Sequence, residues 1–253
     1  MPLVSPVGMA ARPQTKEVRI AAAADLKFAM RDLAAEFEKE TRITVDVTHG
    51  SSGNFFSQLQ SGAPFDLFFS ADADYPRKLE AAGLAEPGTL CTYAIGRLAI
   101  WVPADTKLDL PSQGWNSLLD RSVQRISIAN PEHAPYGRAA VAALRKAGIY
   151  ESVKTKLIFG EDVSQAAQFV QSGNAQAGIV AMSFAVSPAM KAGNLWEIPA
   201  NDYPRIEQDA IVMKSSPNKE AAKAFLNFVK SPRAKEILKK NGFGQGSGKG
   251  TAF

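Results

Sequence analysis

From Glu17 onward the chain alternates two kinds of hydrophobic pattern, and that alternation restricts the fold more than any other feature. The runs "VRIAAAA", "ITVDVTHG" and "FDLFFSAD" are short and apolar, as strands are. Between and after them lie "DLKFAMRDLAAEFEKET", "GNFFSQLQSG" and "ADYPRKLEAAGL", which suit helices. In the first of these, Met30, Leu33, Ala34 and Phe37 recur at i, i+3, i+4 and i+7, one face of a helix. Strands alternating with helices imply right-handed crossovers and a parallel sheet covered on both faces.

A second cycle follows. "TYAIGRLAIWVP" is long and apolar enough to be a strand leaving the first sheet. "RISIANPEHAPYGRAAVAALRKAGIY" reads as strand, loop and helix, and "KLIFGEDVSQAAQFVQSGNAQAGIVAMSFA" as strand, loop, helix and strand. "QDAIVMKSS" is a last strand, and "NKEAAKAFLNFVKSPRAKEILKKNGF" gives two amphipathic helices broken at Ser231-Pro232. These strands are too many for one small sheet. The expected fold is therefore α/β and two-lobed, each lobe a mainly parallel sheet flanked by helices. The expected division is a disordered leader at 1–16, lobe I at 17–95, lobe II at 96–205, a return to lobe I at 206–243 and a flexible tail at 244–253.

Composition removes several classes of function. With 253 residues, 45% of them hydrophobic, the chain can bury a sizeable core. The formal charge is only +4 and its lysines and arginines are spread out, so no nucleic-acid footprint is expected. Cys91 is the single cysteine, which excludes a disulfide framework and a cysteine-based zinc site. His49 and His133 are far apart and belong to no paired metal motif. No apolar run reaches the roughly 18–20 residues that span a bilayer. The leader "MPLVSPVGMAARPQTKE" is broken by proline and does not read as a signal peptide.

Three apparent motifs carry little. "FGQGSGKGTAF" looks like a phosphate loop, but no helix follows Lys249, so a flexible tail is expected. Asp66, Asp72 and Asp74 read as residues around a strand and a helix start, where capping explains them. No serine lies in the G-x-S-x-G context of a nucleophile elbow. A regulator sharing this architecture would carry a helix-turn-helix before the first strand, where only about sixteen loop-like residues stand.

In an open α/β sheet the ligand crevice lies at the carboxyl ends of the strands. Four strand-to-helix junctions therefore matter: "AAAADLKF", "HGSSGNFF", "NPEHAPYGRAA" and "GEDVSQAA". The first turn of each helix leaves amides unpaired, and the helix dipole favours an anion there. In "HGSSGNFF", Gly50 and Gly53 allow close backbone approach, and Ser51 and Ser52 can either cap the helix or donate to an anion. In "PEHAPYG", Tyr136 offers a phenol, either to a ligand or to a lobe edge. Val163 can serve only through its amide.

"AAAADLKFAM", "GSSGNFFSQLQSGAPFDLFFSAD", "TYAIGRLAIW", "NPEHAPYG", "GEDVSQAAQFV" and "GIVAMS", in this order, resemble the periplasmic molybdate-binding proteins of ABC importers over roughly Glu17 to Phe243. The resemblance implies a type II solute-binding fold that closes on molybdate or tungstate through neutral donors. It implies an extracytoplasmic monomer that hands its ligand to a membrane permease, with no cofactor, no catalysis, no cation ligands and no nucleic acid. Carried over by position, it assigns the ligand to Ala24, Asp25 and Ser52 in lobe I and to Tyr136 and Val163 in lobe II. Sulfate or phosphate is the alternative ligand. An oxyanion-sensing regulatory domain or a phosphoester or sulfate-ester enzyme is the alternative class.

Asp25 departs from the family's usual Ser, Thr or Asn. A carboxylate facing a dianion at ~4 Å is repelled by about 4 kcal/mol per charge pair at an effective dielectric near 20. Three roles reconcile it with an anion site: capping the helix with its side chain turned away, accepting a proton carried by the anion, or pairing with Lys27 or Arg138.

Overall fold

The computed structural model describes residues 17–245, so the readings made for residues 1–16 and for the Lys249 loop lie outside the described residues. In chain order, the first sheet and its helices begin with β1 (Glu17–Ala23), α1 (Lys27–Thr41), β2 (Thr44–Gly50), α2 (Ser52–Gln60), β3 (Leu67–Ser70), α3 (Asp74–Ala81) and β4 (Cys91–Gly96). The second sheet and its helices follow as β5 (Leu98–Val102), α4 (Leu110–Gln113), β6 (Ile126–Ala129), α5 (Pro135–Lys146), α6 (Tyr150–Val153), β7 (Leu157–Gly160), α7 (Val163–Gln171), β8 (Ala177–Ala181), α8 (Met182–Ala185) and β9 (Asn194–Glu197). The chain then returns as β10 (Ile206–Val212), α9 (Lys219–Val229) and α10 (Pro232–Lys240).

The sheets have orders β2-β1-β3-β10-β4 and β7-β6-β8-β5-β9. Their central strands, β3 (LFFS) and β8 (AGIVA), are buried at every position, as a strand covered on both faces must be. Three neighbouring strands in each sheet run parallel, and an antiparallel strand, β10 or β5, joins them to the outermost one. Each sheet is thus mixed, with its parallel part where the helical crossovers are. One face of the first sheet packs under α1, α9 and α10 around Phe37, Phe69 and Phe225. Its other face carries Phe55, Leu59, Phe68 and Leu79 beneath α2 and α3.

"TYAIGRLAIWVP" is two strands rather than one. β4 pairs with β10 in the first sheet, while β5 pairs with β8 and β9 in the second, and the chain changes lobe at Arg97. Gly96 sits at that crossing because a Cβ there would lie 2.4 Å from the Tyr136 hydroxyl. The chain crosses back between β9 and β10. The edge strand β9 (NLWE) is mostly exposed and lacks an alternating pattern, which is why its sequence gives no strand signal.

Asp66 is no helix cap. It is fully buried, and its carboxylate accepts from the Arg19 amide at 2.8 Å and the Ser216 hydroxyl at 2.6 Å, with Asn218 Nδ2 3.4 Å away. It pins β1 to the segment that follows β10, so the returning chain is fastened to lobe I by a buried polar clamp. Asp72 does serve a helix start, its Oδ1 accepting from the Asp74 amide at 2.9 Å. Truncating Asp66 to Ala strands several buried donors, and chemical denaturation should show a loss of about 3 kcal/mol; a loss within ~0.5 kcal/mol would refute the clamp.

Candidate functional site

The four junctions meet between the lobes. A small cavity of about 10 Å³ is lined by Ala24, Asp25, Ser52, Ala71, Tyr136 and Val163 among others, so the five residues singled out in the sequence surround one space. Drug-sized ligands occupy roughly 300–1,000 Å³. This cavity lies far below that range.

Each junction supplies something different. Ala24 and Asp25 begin a short 3-10 turn (Ala24–Leu26) that leads into α1, so their amides lie at an unpaired helical start. Ser52 opens α2; its Oγ accepts the Ala71 amide at 2.9 Å, which fixes the loop after β3 and leaves the Ser52 O–H proton uncommitted. At α7 the Asp162 carboxylate caps the amides of Ser164 at 2.8 Å and Gln165 at 3.0 Å, and the Val163 amide has no hydrogen-bond partner. Dipole and free amides make these helix starts favourable to negative charge without a cation.

Neither serine caps α2 through its side chain. Ser51 holds the N-cap position, but its hydroxyl donates to the His133 carbonyl of lobe II at 2.6 Å. The same carbonyl accepts the Gly53 amide at 3.1 Å. A Cβ on Gly53 would stand 2.6 Å from that oxygen, so glycine is required by the approach of the other lobe and not by a left-handed φ. Further contacts across the cleft are Asn54 Nδ2 to Glu161 at 3.2 Å, the Arg138–Asp72 ion pair and the edge-on rings of Phe28 and Phe184.

Asp25 is fully buried, and it neither caps a helix nor pairs with a base. No ion pair reaches it among the described residues, Arg138 being held by Asp72. Its Oδ2 instead accepts from the Tyr136 hydroxyl at 2.8 Å and from Gln208 Nε2. Gln208 is oriented in turn by Tyr93, whose hydroxyl donates to Gln208 Oε1 at 2.8 Å. Oδ1 is buried without a well-formed hydrogen bond, although the Asp25 and Leu26 amides lie near enough to favour the ionised form. Burial outweighs those donors and pushes the carboxyl up to about 6. Burial, with the Asp25 charge adding to it, also pushes the Tyr136 phenol far up, so Tyr136 stays a donor.

Gln208 escaped the sequence reading. Its signal is faint: one of three consecutive polar residues, Glu207, Gln208 and Asp209, in the strand "IEQDAIV". The register of β10 against β4 shifts between Gln208 and Asp209, a bulge that turns both polar side chains to partners. Asp209 accepts from Thr92 Oγ1 at 2.6 Å and lies 3.5 Å from Arg77. Among the described residues no cluster of His, Cys, Asp or Glu could hold a metal ion, and no helix is long and apolar enough to cross a membrane.

Two α/β lobes, joined by strands that cross between them and enclosing a small cavity of helix starts, define a binding protein that holds its ligand between lobes. Residues 18–244 match the family described as bacterial extracellular solute-binding proteins. The chain belongs to that family. It is 40% identical over 237 residues to the molybdate-binding protein ModA of Azotobacter vinelandii, covering 93% of each chain. It is 38% identical to ModA of Rhodobacter capsulatus, covering 94% of this chain and 92% of that one. The solved structure of the Azotobacter vinelandii periplasmic molybdate-binding protein superposes with a TM-score of 0.85 at 35% identity, over 91% of this chain and all of that one.

Two outcomes follow from the geometry. Gly53→Ala puts a methyl group into the His133 carbonyl and disfavours the closed form, so the affinity for whatever the cavity holds should fall by at least about tenfold in calorimetry. The raised Asp25 carboxyl binds a proton that the unfolded chain has already released between about pH 4 and pH 6, so it makes folding stability fall as pH rises through that window. The lost stability amounts to about 3 kcal/mol at neutral pH. Asp25→Asn should flatten that decline in denaturation curves of the ligand-free protein; an unchanged pH profile would contradict it.

Proposed function

We propose that the protein captures a tetrahedral oxyanion between its lobes, molybdate or tungstate first among them, and delivers it to the membrane permease of an ABC importer. It does so outside the cytoplasm and without chemistry of its own. The observation that carries this reading is the lining of the cavity: a small space between the lobes faced by the helix starts at Ala24–Asp25, Ser52 and Val163 and by no lysine or arginine. Neutral donors of this kind hold an anion when it is present and bury no unpaired cation when it is absent. The names of the Azotobacter and Rhodobacter relatives supply the choice of molybdate.

In the proposed cycle the anion bridges the free Val163 amide of lobe II and the Ser52 hydroxyl and first-turn amides of lobe I. Lobe closure then presents a single shape to the permease. Tyr136 acts at one remove, since its proton is already engaged by Asp25. Sulfate or phosphate is the second reading, and an ionised Asp25 favours phosphate only if it accepts a hydrogen bond from the protonated anion.

A thermal-shift panel of molybdate, tungstate, sulfate and phosphate at equal ionic strength tests the reading. Molybdate and tungstate at ~100 times their dissociation constants should each add about 2.7 kcal/mol to folding stability and raise the melting temperature accordingly. No shift with any of the four would sink the oxyanion reading. A shift with phosphate alone would replace molybdate as the ligand.

A further inference from the structure

Asp25 is a buried acid in a site for anions, and its surroundings decide which of its oxygens can hold a proton. Oδ2 already receives two hydrogen bonds, from Tyr136 and from Gln208. A carboxyl oxygen has two lone-pair positions, so Oδ2 is filled as an acceptor. Oδ1 alone has no well-formed hydrogen bond, on a residue that lines the cavity. Charged, such a group would repel a dianion. Protonated on Oδ1, it becomes one more neutral donor beside Ser52 and the amides of the helix starts.

We infer that Asp25 binds the anion as a carboxylic acid, its Oδ1–H donating to an anion oxygen, so that the site selects fully deprotonated oxyanions and takes up one proton with each. This rests on the oxyanion reading above. The proton comes from a solvent or buffer acid, which gives it up as the Oδ1–H bond forms; no bond of the anion changes, and the complex carries one negative charge fewer than its separated parts would.

The groups facing Asp25 make it the one that changes. Tyr136 from α5 and Tyr93 from β4 are phenols held protonated by burial, and Gln208 from β10 is neutral. On its own side Lys27 follows in α1, and His49 on β2 and Asp162 before α7 interact with one another across the junctions. None of these forms an ion pair with Asp25, and its shift has burial as its leading cause with hydrogen bonds opposing it. A bound dianion adds like charge, which drives a carboxyl further towards its neutral form. The free protein therefore holds Asp25 neutral below about pH 6, and above it the anion must bring a proton in. Affinity is full below that pH and falls as pH rises.

The consequence for selectivity is specific. With the Asp162 carboxylate accepting from the amides of Ser164 and Gln165, the donors that remain match an ion made only of acceptors. The hydroxyl of hydrogen phosphate would meet a second donor at Asp25 and find no acceptor there for its proton, because Oδ2 is taken. Asp25→Asn fixes the neutral arrangement for good: its carbonyl can accept from Tyr136 and Gln208 while its amide donates from the Oδ1 position.

The test is isothermal calorimetry of the full chain with sodium molybdate and with sodium phosphate, from about pH 6 to about pH 8.5, in buffers of differing ionisation enthalpy. The expected result at about pH 8 is uptake of close to one proton per molybdate, with affinity falling about tenfold per pH unit. Phosphate should bind at least about a hundredfold more weakly than molybdate. D25N should show about zero uptake and a flat pH profile, and should bind molybdate more tightly than the parent at the alkaline end, by about tenfold per unit. The proton count of the parent stands by itself if D25N fails to fold. Molybdate binding without proton uptake, or phosphate binding as tightly as molybdate, overturns this inference and leaves oxyanion capture standing. No binding of either anion by the parent protein overturns both.

Discussion

The hydrogen bond from Tyr136 to Asp25 is the contact on which the closed arrangement of this protein most depends. It joins a side chain at the start of α1 in lobe I to one at the start of α5 in lobe II, and both ends are fully or nearly fully buried. Gln208 adds a third element, β10, which follows the chain's return from lobe II. Any separation of the lobes breaks this bond and returns the carboxyl to water. Lobe geometry, cavity polarity and the protonation of one carboxyl are therefore a single physical problem.

Apart from the Asp162 carboxylate, which caps α7, the rest of the site avoids charge. Ser52 and Val163 act through a hydroxyl and amides whose direction is set by helices α2 and α7, and those helices are held by the parallel strands that precede them. Rigid strands fix where the amides point, which is the condition for an anion to be bound by partial charges alone. The loops between strand and helix do more than connect: Ser51 and Gly53 spend their polar groups on the carbonyl of His133, so closure is recognised by backbone as well as by side chain.

Much of this was legible in the sequence. The alternation of patterns gave two α/β lobes and the junctions that matter, and the resemblance to molybdate-binding proteins picked out Ala24, Asp25, Ser52, Tyr136 and Val163 at them, which the fold brings to one cavity. What stayed hidden needed the third dimension. The break at Arg97 falls inside an unbroken apolar run, and only pairing partners separate β4 from β5. Asp66 stands where a cap would, yet its partners Ser216 and Asn218 lie about 150 residues away, a distance no local pattern spans. Gln208 depends on a bulge, and a bulge leaves no periodic trace. The glycines of "HGSSG" suggested unusual dihedrals, whereas Gly53 answers to a neighbour from the other lobe.

Magnitudes separate the contacts that bridge the lobes. Arg138 and Asp72 form the more conspicuous pair, but their side chains are 38% and 25% exposed, and a pair so open to water contributes at most about 1 kcal/mol. The Asp25 hydrogen bonds are shielded from water, and a bond to a charged partner is worth about 1.5–3 kcal/mol. That gain comes with a carboxyl that resists ionisation where it sits. Tyr136 and Gln208 fill one oxygen as acceptors and leave the other without a bond, so they stabilise the closed lobes while leaving one position for an anion to satisfy. An apolar residue at position 25 would strand the Tyr136 hydroxyl and the Gln208 amide and offer no such position, and a lysine would bury a charge with nothing in the cavity lining to balance it once Asp25 is gone. A carboxyl held by neutral donors does both jobs because its second oxygen can change from acceptor to donor by taking a single proton.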